Sequence, residues 1–196
     1  MPNERTKDRR VERTEGFLRA ALASLIHEKP YDRIVVKEIL ARANVGRSTF
    51  YTHFRDKDEL LHSGIRKILG TGATATPAAS STLHDRILWF SRPVFEHIER
   101  HRDAGDGGVH ARGQAIVHEH LERVLVELIA AELQQAGRRQ LTTEHTVPSA
   151  LLAHYVASTF VLILNWWIES SDPLSARDVN DLFRALVLPT LAEALA

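Results

Sequence analysis

Apolar residues recur at helical spacing along almost the whole chain. Phe17, Leu18, Ala21, Leu22, Leu25 and Ile26 mark one face of a first helix that ends near Pro30. Val36, Ile39, Leu40 and Ala43 follow at i, i+3, i+4 and i+7, which predicts a short second helix. Asn44-Val45-Gly46 reads as a tight turn and 47–54 as another short helix. Asp56 can cap a fourth, with Leu60, Leu61, Ile65 and Ile68 inward. A stretch of small residues with one proline, 70–81, is the best boundary in the sequence. Longer helices are expected beyond it. One covers about 83–102, with Ile87, Phe90, Val94 and Ile98 on a stripe and Pro93 as a kink. A second, about 114–135, carries Leu121, Leu125, Leu128 and Ile129 inside. A third runs from Pro148 to about Ser170. Ser175 and Asp178 form a capping-box-like start for the last, which carries Val179, Leu182, Phe183 and Leu186 until Pro189 ends or bends it. No segment of comparable length alternates with period two, so the fold class is all-α.

Charge changes this picture. The formal net charge is zero, but residues 1–70 hold 15 Lys/Arg against 10 Asp/Glu and residues 71–196 hold 10 against 15. All five lysines (Lys7, Lys29, Lys37, Lys57, Lys67) lie in the first part. Such a split suggests that one half meets a polyanion and the other does not. The absence of cysteine excludes disulfides, thiolate nucleophiles and zinc–sulfur sites. No apolar segment follows the basic N-terminus, so no secretory signal is expected. The run 151–168 is interrupted by His154, Tyr155, Ser158, Thr159 and Asn165, which favours a buried helix over a membrane span and hence a cytoplasmic location.

Two short helices joined by a three-residue turn, behind a longer one, are a helix-turn-helix arrangement. At 100° per residue, Phe50 and Phe54 fall together on the inner side of the second short helix. Ser48, Thr49 and Thr52 fall opposite, Arg47 and Tyr51 flank one edge, and His53 flanks the other. Small hydroxyl side chains let a helix approach base edges, while Arg, Tyr and His reach phosphates or, for Arg, guanine. A helical hairpin whose polar face merely meets water would show the same pattern.

The residues themselves say more. Tyr31-Asp32-Arg33-Ile34-Val35-Val36-Lys37-Glu38-Ile39, then Ala43-Asn44-Val45-Gly46-Arg47-Ser48-Thr49-Phe50-Tyr51-Thr52-His53-Phe54, then Asp56-Lys57-Asp58-Glu59-Leu60-Leu61 closely resemble the DNA-binding signature of the tetracycline-repressor (TetR) family. The resemblance covers about residues 9–68. It implies that Arg47, Ser48, Thr49, Tyr51 and His53 contact DNA, and that Lys57 meets a phosphate at the start of the fourth helix. Thr52 stands where Arg or Tyr is commoner in the family and joins the expected DNA-facing set with an unusual base preference. Val35 replaces the usual Thr and can neither cap the second helix nor touch phosphate. Gly46 replaces a Ser and can still cap through its backbone. Asn44 replaces a Gly and tolerates the same left-handed conformation. The charged arm Arg5, Lys7, Arg9, Arg10 and Arg13 is either a further phosphate or minor-groove contact or a solvated tail.

The resemblance implies a helix-turn-helix domain at 1–69 joined to a larger helical domain at 82–196 that dimerises and binds an effector. It also implies a homodimer built from the last two helices, about 147–170 and 176–195, on double-stranded operator DNA. The unbroken Val161-Leu162-Ile163-Leu164 is in keeping with helices that need partners on several sides. Candidates for a small-molecule pocket are Trp89, Phe90, Phe95, His97, His118, Tyr155, Phe160, Trp166 and Trp167, each of which could equally be plain core. His97 and His101 share a helix face, but the third and fourth ligands a metal needs are not identifiable, so no metal and no cofactor is expected. No nucleophile–base pair, phosphate loop or paired carboxylates point to an enzyme. The function expected is a ligand-responsive transcriptional repressor. The alternative is a co-regulator of the same fold that acts mainly through protein–protein contacts.

Overall fold

The computed structural model describes residues 3–72, 82–102, 111–139, 147–170 and 174–195. The described residues are helical apart from turns and caps, with no strand among them. The helices are α1 Asn3–Glu28, α2 Val36–Ala43, α3 Arg47–His53, α4 Lys57–Gly72, α5 Leu83–Leu88, α6 Ser91–Arg102, α7 Ala111–Arg139, α8 Ser149–Glu169 and α9 Ala176–Ala194. A single 3₁₀ turn, Tyr31–Arg33, precedes α2. The chain divides into two compact units, Met1–Ile65 with Asp106–His120 and Arg66–Gly105 with Leu121–Ala196. The sequence break at 70–81 lies, from residue 73 on, outside the described residues.

In the first unit Leu18, Leu22, Leu25, Ile39, Phe50, Phe54 and Leu60 are buried and form its core. Phe17, expected inward, is 49% exposed and instead lies under the Arg13 guanidinium, 5.4 Å from its ring centroid. Its neighbour Leu18 takes the inward position, because adjacent residues stand 100° apart and only one can point at the core. Farther along α4, where the second unit begins, Ile68 is likewise exposed, and Leu69 takes its place.

In the second unit the expected helix over 83–102 is two helices, broken at Trp89–Phe90. The break falls where the missing Pro93 N–H would have met the Trp89 carbonyl four positions earlier, so the expected kink is a full interruption between two helices. Ser175 caps α9, accepting from the Asp178 amide at 3.2 Å while Asp178 Oδ2 accepts from the Ser175 amide at 3.1 Å. Pro189 does not end α9, which continues to Ala194. The inner faces of α8 and α9 supply Leu152, Val156, Phe160, Leu164, Trp167, Val179, Phe183, Val187 and Leu191 to the core. Ser91 and Asn180 are buried together, 2.7 Å apart, as a polar link between α6 and α9.

Candidate functional site

The turn between α2 and α3 follows from Asn44, whose φ of 51° places it in the left-handed region that ends helices. The Val45 amide donates back to Leu40 O at 3.1 Å, which closes α2 with a 6→1 bond. Gly46 then caps α3 through its backbone, its carbonyl accepting from the Phe50 amide at 3.1 Å. At the other end of α2, Val35 occupies the cap position with no side-chain acceptor. Half of a capping box remains, since Glu38 Oε2 accepts from the Val35 amide at 3.1 Å.

On α3, Phe50 is fully buried and Phe54 nearly so, their ring centroids 5.9 Å apart. Arg47, Ser48, Thr49, Tyr51 and Thr52 are exposed, so the hydroxyls and the two long side chains share the outer surface. The Arg47 guanidinium lies 5.6 Å from the Tyr51 ring centroid, within cation–π range, which limits how far it wanders. Thr52 Oγ1 donates to Ser48 O at 2.9 Å. Its one proton is therefore used inside the helix, and toward a base it presents an acceptor and a methyl group.

Two of the expected DNA-contacting residues hold contacts within the protein. His53 is turned to α1, its side chain 14% exposed and Nδ1 3.6 Å from Glu15 Oε1. Its edge of the helix faces the first unit's own interior because α1 packs there. Lys57 donates from Nζ to Tyr31 O at 2.8 Å and to Ile34 O at 3.0 Å, and sits 4.3 Å from the Tyr31 ring centroid. Tyr31 in turn donates its hydroxyl to Asp58 Oδ1 at 2.6 Å. Burial first, and then the Asp58 carboxylate, push the Tyr31 phenol well above its ordinary value, so it stays a donor.

Sequence reasoning did not find the groups that fix α2 on α1. Arg42 Nη2 donates to Glu28 Oε2 at 2.8 Å and Nη1 to Ser24 Oγ at 2.8 Å, while Lys29 pairs with Glu38. The Arg42 and Lys29 hydrogen bonds hold the carboxyls of Glu28 and Glu38 below the usual range. The partners are 9 to 18 residues apart on different helices, so no local spacing announces them. The basic arm continues α1 as helix from Asn3, with Arg9, Arg10 and Arg13 exposed.

Four of the expected pocket residues come together, and they do so as core. Phe90, Phe95 and Phe160 are buried with Trp167 and Phe183, and Phe95 and Phe160 lie 4.7 Å apart. Trp167 Nε1 donates to Leu174 O at 3.0 Å. These rings are closed on one another as core. Tyr155 and Trp166 instead stand on the outside of α8, Trp89 and His97 are half-buried, and His118 belongs to the other unit. Among the described residues no group of three or more potential ligands surrounds a metal position, and the His101 side chain lies outside them.

The outer faces of α8 and α9 are apolar. Leu151, Tyr155, Leu162 and Trp166 form one strip on α8 at 60, 36, 67 and 44% exposure, and Leu182 and Leu186 stand exposed on α9. The Tyr155 hydroxyl donates to Leu186 O at 3.3 Å and ties the two strips together. By length and composition α8 could cross a membrane, but its inner face is spent on the unit's own core.

Residues 18–63 match the family model for bacterial regulatory proteins of the tetR family. An uncharacterised HTH-type transcriptional regulator of Bacillus subtilis, YxbF, is 39% identical over 72 residues, 34% of this chain. The match spans only 19% of YxbF. Among solved structures, a TetR transcriptional regulator from Streptococcus agalactiae is similar with a TM-score of 0.55 at 23% identity, over 94% of this chain and 99% of that one. A TetR-family regulator from Syntrophomonas wolfei gives 0.61 at 18% identity over 94% and 97%. RolR in complex with resorcinol gives 0.55 at 20% identity over 93% and 89%. These likenesses extend the fold to the second unit.

Proposed function

We propose, from the premise that this chain belongs through its N-terminal unit to the tetR family of bacterial regulatory proteins, that it is a cytoplasmic, ligand-responsive repressor binding operator DNA as a homodimer. The observation that carries the DNA-binding part is the polarity of α3. Its two phenylalanines are buried, and Arg47, Ser48, Thr49, Tyr51 and Thr52 stand together outside. A helix with small hydroxyl side chains flanked by an arginine and a tyrosine fits a major groove and carries donors for base edges and phosphates.

The dimer reading rests on the apolar strips of α8 and α9. Six large apolar side chains standing exposed on two adjacent helices leave burial unrealised in a single chain. A two-fold partner would cover them, and two reading heads would then meet half-sites about 34 Å apart. The helix-turn-helix segment, 1–69, reads DNA and helices of the 82–196 segment pair the subunits. The effector part rests on kinship of fold, RolR being a relative that holds a small aromatic molecule. An effector entering among the aromatic rings would part Phe95 and Phe160, and it would act by binding two dimer geometries unequally.

A fluorescence-anisotropy titration against DNA flanking the gene, repeated over a salt series, tests the central claim. A specific complex that weakens linearly in log K against log salt is expected. No specific complex at moderate salt overturns it. The co-regulator reading draws on the exposed Val35, which offers no hydroxyl at the start of α2. Retained regulation in cells after Arg47→Ala and Tyr51→Ala would favour it.

A further inference from the structure

We propose that Tyr51 is a positioning residue for Arg47: its ring presets the Arg47 guanidinium as a reader of guanine, while its hydroxyl stays available to phosphate. This rests on the reading of α3 as the DNA-reading helix.

Arg47 and Tyr51 stand one helical turn apart on α3 and so share a face. The Arg47 guanidinium carbon lies over the Tyr51 ring, 5.6 Å from its centroid. That ring is itself held: Phe50 meets it edge to face, with centroids 5.2 Å apart and planes at 88°. Phe50 is fully buried and packs in turn on Phe54. A line of contact therefore runs from the core of the first unit, through a half-exposed ring, to the arginine. Among the described residues the Tyr51 hydroxyl makes no hydrogen bond, so orienting Arg47 costs it nothing that a phosphate would need.

Other exposed arginines of this unit are held by carboxylates, Arg42 by Glu28 and Arg55 by Glu59. A carboxylate orients a guanidinium, but it also accepts from its N–H groups and offsets its charge. The face of a ring attracts the cation and takes none of its N–H groups. Among the described residues the Arg47 side chain forms no ion pair and no hydrogen bond, so its whole donor fork remains for DNA. Guanine offers two acceptors, O6 and N7, on its major-groove edge, and a planar guanidinium meets both at once. Such a bidentate pair tolerates little rotation, whereas a phosphate accepts from many directions. Restricting the arginine beforehand lowers the ordering cost of docking, and the gain is largest where the geometry is strictest. Placement over Tyr51 therefore favours the base edge over the backbone as the target of Arg47.

The test uses the full chain and its variants Arg47→Ala, Tyr51→Leu, Tyr51→Phe and the double variant Arg47→Ala with Tyr51→Leu. Each selects duplexes from a library with a randomised half-site, and anisotropy then gives affinities for every single-base-pair change in the wild-type choice. The wild type is expected to take guanine at the one position where Arg47→Ala becomes indifferent. Tyr51→Leu is expected to lower the preference at that same position about fivefold, the effect of freeing one long side chain. Tyr51→Phe, which keeps the ring, keeps the preference. The double variant is expected to discriminate there as Arg47→Ala does, because the two residues act as one unit. An undiminished guanine preference in Tyr51→Leu overturns the proposal. So does a preference lost equally in Tyr51→Phe, and so does a Tyr51→Leu that weakens every duplex alike. If Tyr51→Leu does not fold, pentafluorophenylalanine in place of Tyr51 is compared with Tyr51→Phe. It keeps the ring's shape and reverses the charge of its face, and equal guanine preference for the two rings overturns the proposal. A wild-type chain that selects no sequence overturns the reading of α3 as well. A wild-type chain that selects one, with no base preference changed in Arg47→Ala, overturns only the pairing of Tyr51 with Arg47.

Discussion

Leu162 stands at the middle of the apolar strip on α8 with 67% of its surface exposed. Full burial of a leucine side chain is worth about 1.5–3 kcal/mol, so covering the exposed part against a partner contributes roughly 1–2 kcal/mol. In a two-fold interface the same side chain is buried twice, once from each subunit. Leu162→Ala should therefore cost the dimer about 2–3 kcal/mol, a rise in dissociation constant of roughly 30- to 150-fold. Leu162→Asp should do more, because each partner would desolvate a carboxylate without a counter-charge.

Sedimentation equilibrium over a concentration series reads these constants directly. Circular dichroism should show unchanged helix content, since Leu162 makes little contribution to the core of its own chain. The reasoning fails if the wild type is a monomer at micromolar concentration, or if both variants keep the wild-type constant. It also fails if the variants lose helix content with dimerisation, because the strip would then be part of the subunit's own fold.

Phe50→Ala removes a fully buried ring that packs on Phe54 and Tyr51, and should cost about 3–5 kcal/mol in urea denaturation with loss of DNA binding. A cost under about 1 kcal/mol would mean that α3 is not anchored there. Arg47→Ala should weaken operator binding by about 1–3 kcal/mol and relax preference at one base position, as read by binding selection from a randomised half-site. Acid should weaken the second unit through Asp85, whose carboxyl is held below its ordinary 3.8 first by the Thr82 hydroxyl and then by Arg184. A lowered folded value means that this stabilisation is present above about pH 4 and is lost as pH falls through the folded value. Asp85→Asn should flatten the pH dependence of the melting temperature there, and an unchanged profile would remove Asp85 from the account.

The outward and inward sides of α3 were legible because both its length and its faces are set by local spacing. The caps at Asn44 and Ser175 were legible for the same reason: each depends on residues no more than five positions away. Faces at the margin of a helix were not. Phe17 and Leu18 are neighbours in the same apolar patch, and only the packing of the other helices decides which one is covered. The run 161–164 reads as apolar on all sides, yet Leu162 alone points out, and that contrast separates a subunit core from a surface for pairing. Pro93 was legible as a point of disruption, while Pro189 does not end α9, because a helix tolerates a missing donor where packing holds the next turn in place. Lys57 was the furthest from reach. Its acceptors lie 26 and 23 residues away, so a family pattern could supply a charge at that position but not what the charge holds.

The start of α2 shows how one departure from the family pattern propagates. With valine at the cap, the first turn takes its anion from within: Glu38 accepts from the Val35 amide and is itself pinned by Lys29. A carboxylate there satisfies the positive end of the helix dipole that a DNA phosphate would otherwise use. Lys57 likewise donates to the turn that precedes α2. What remains exposed on this side is Arg33 and Lys37 beside α2, and Arg47 with the hydroxyls of α3.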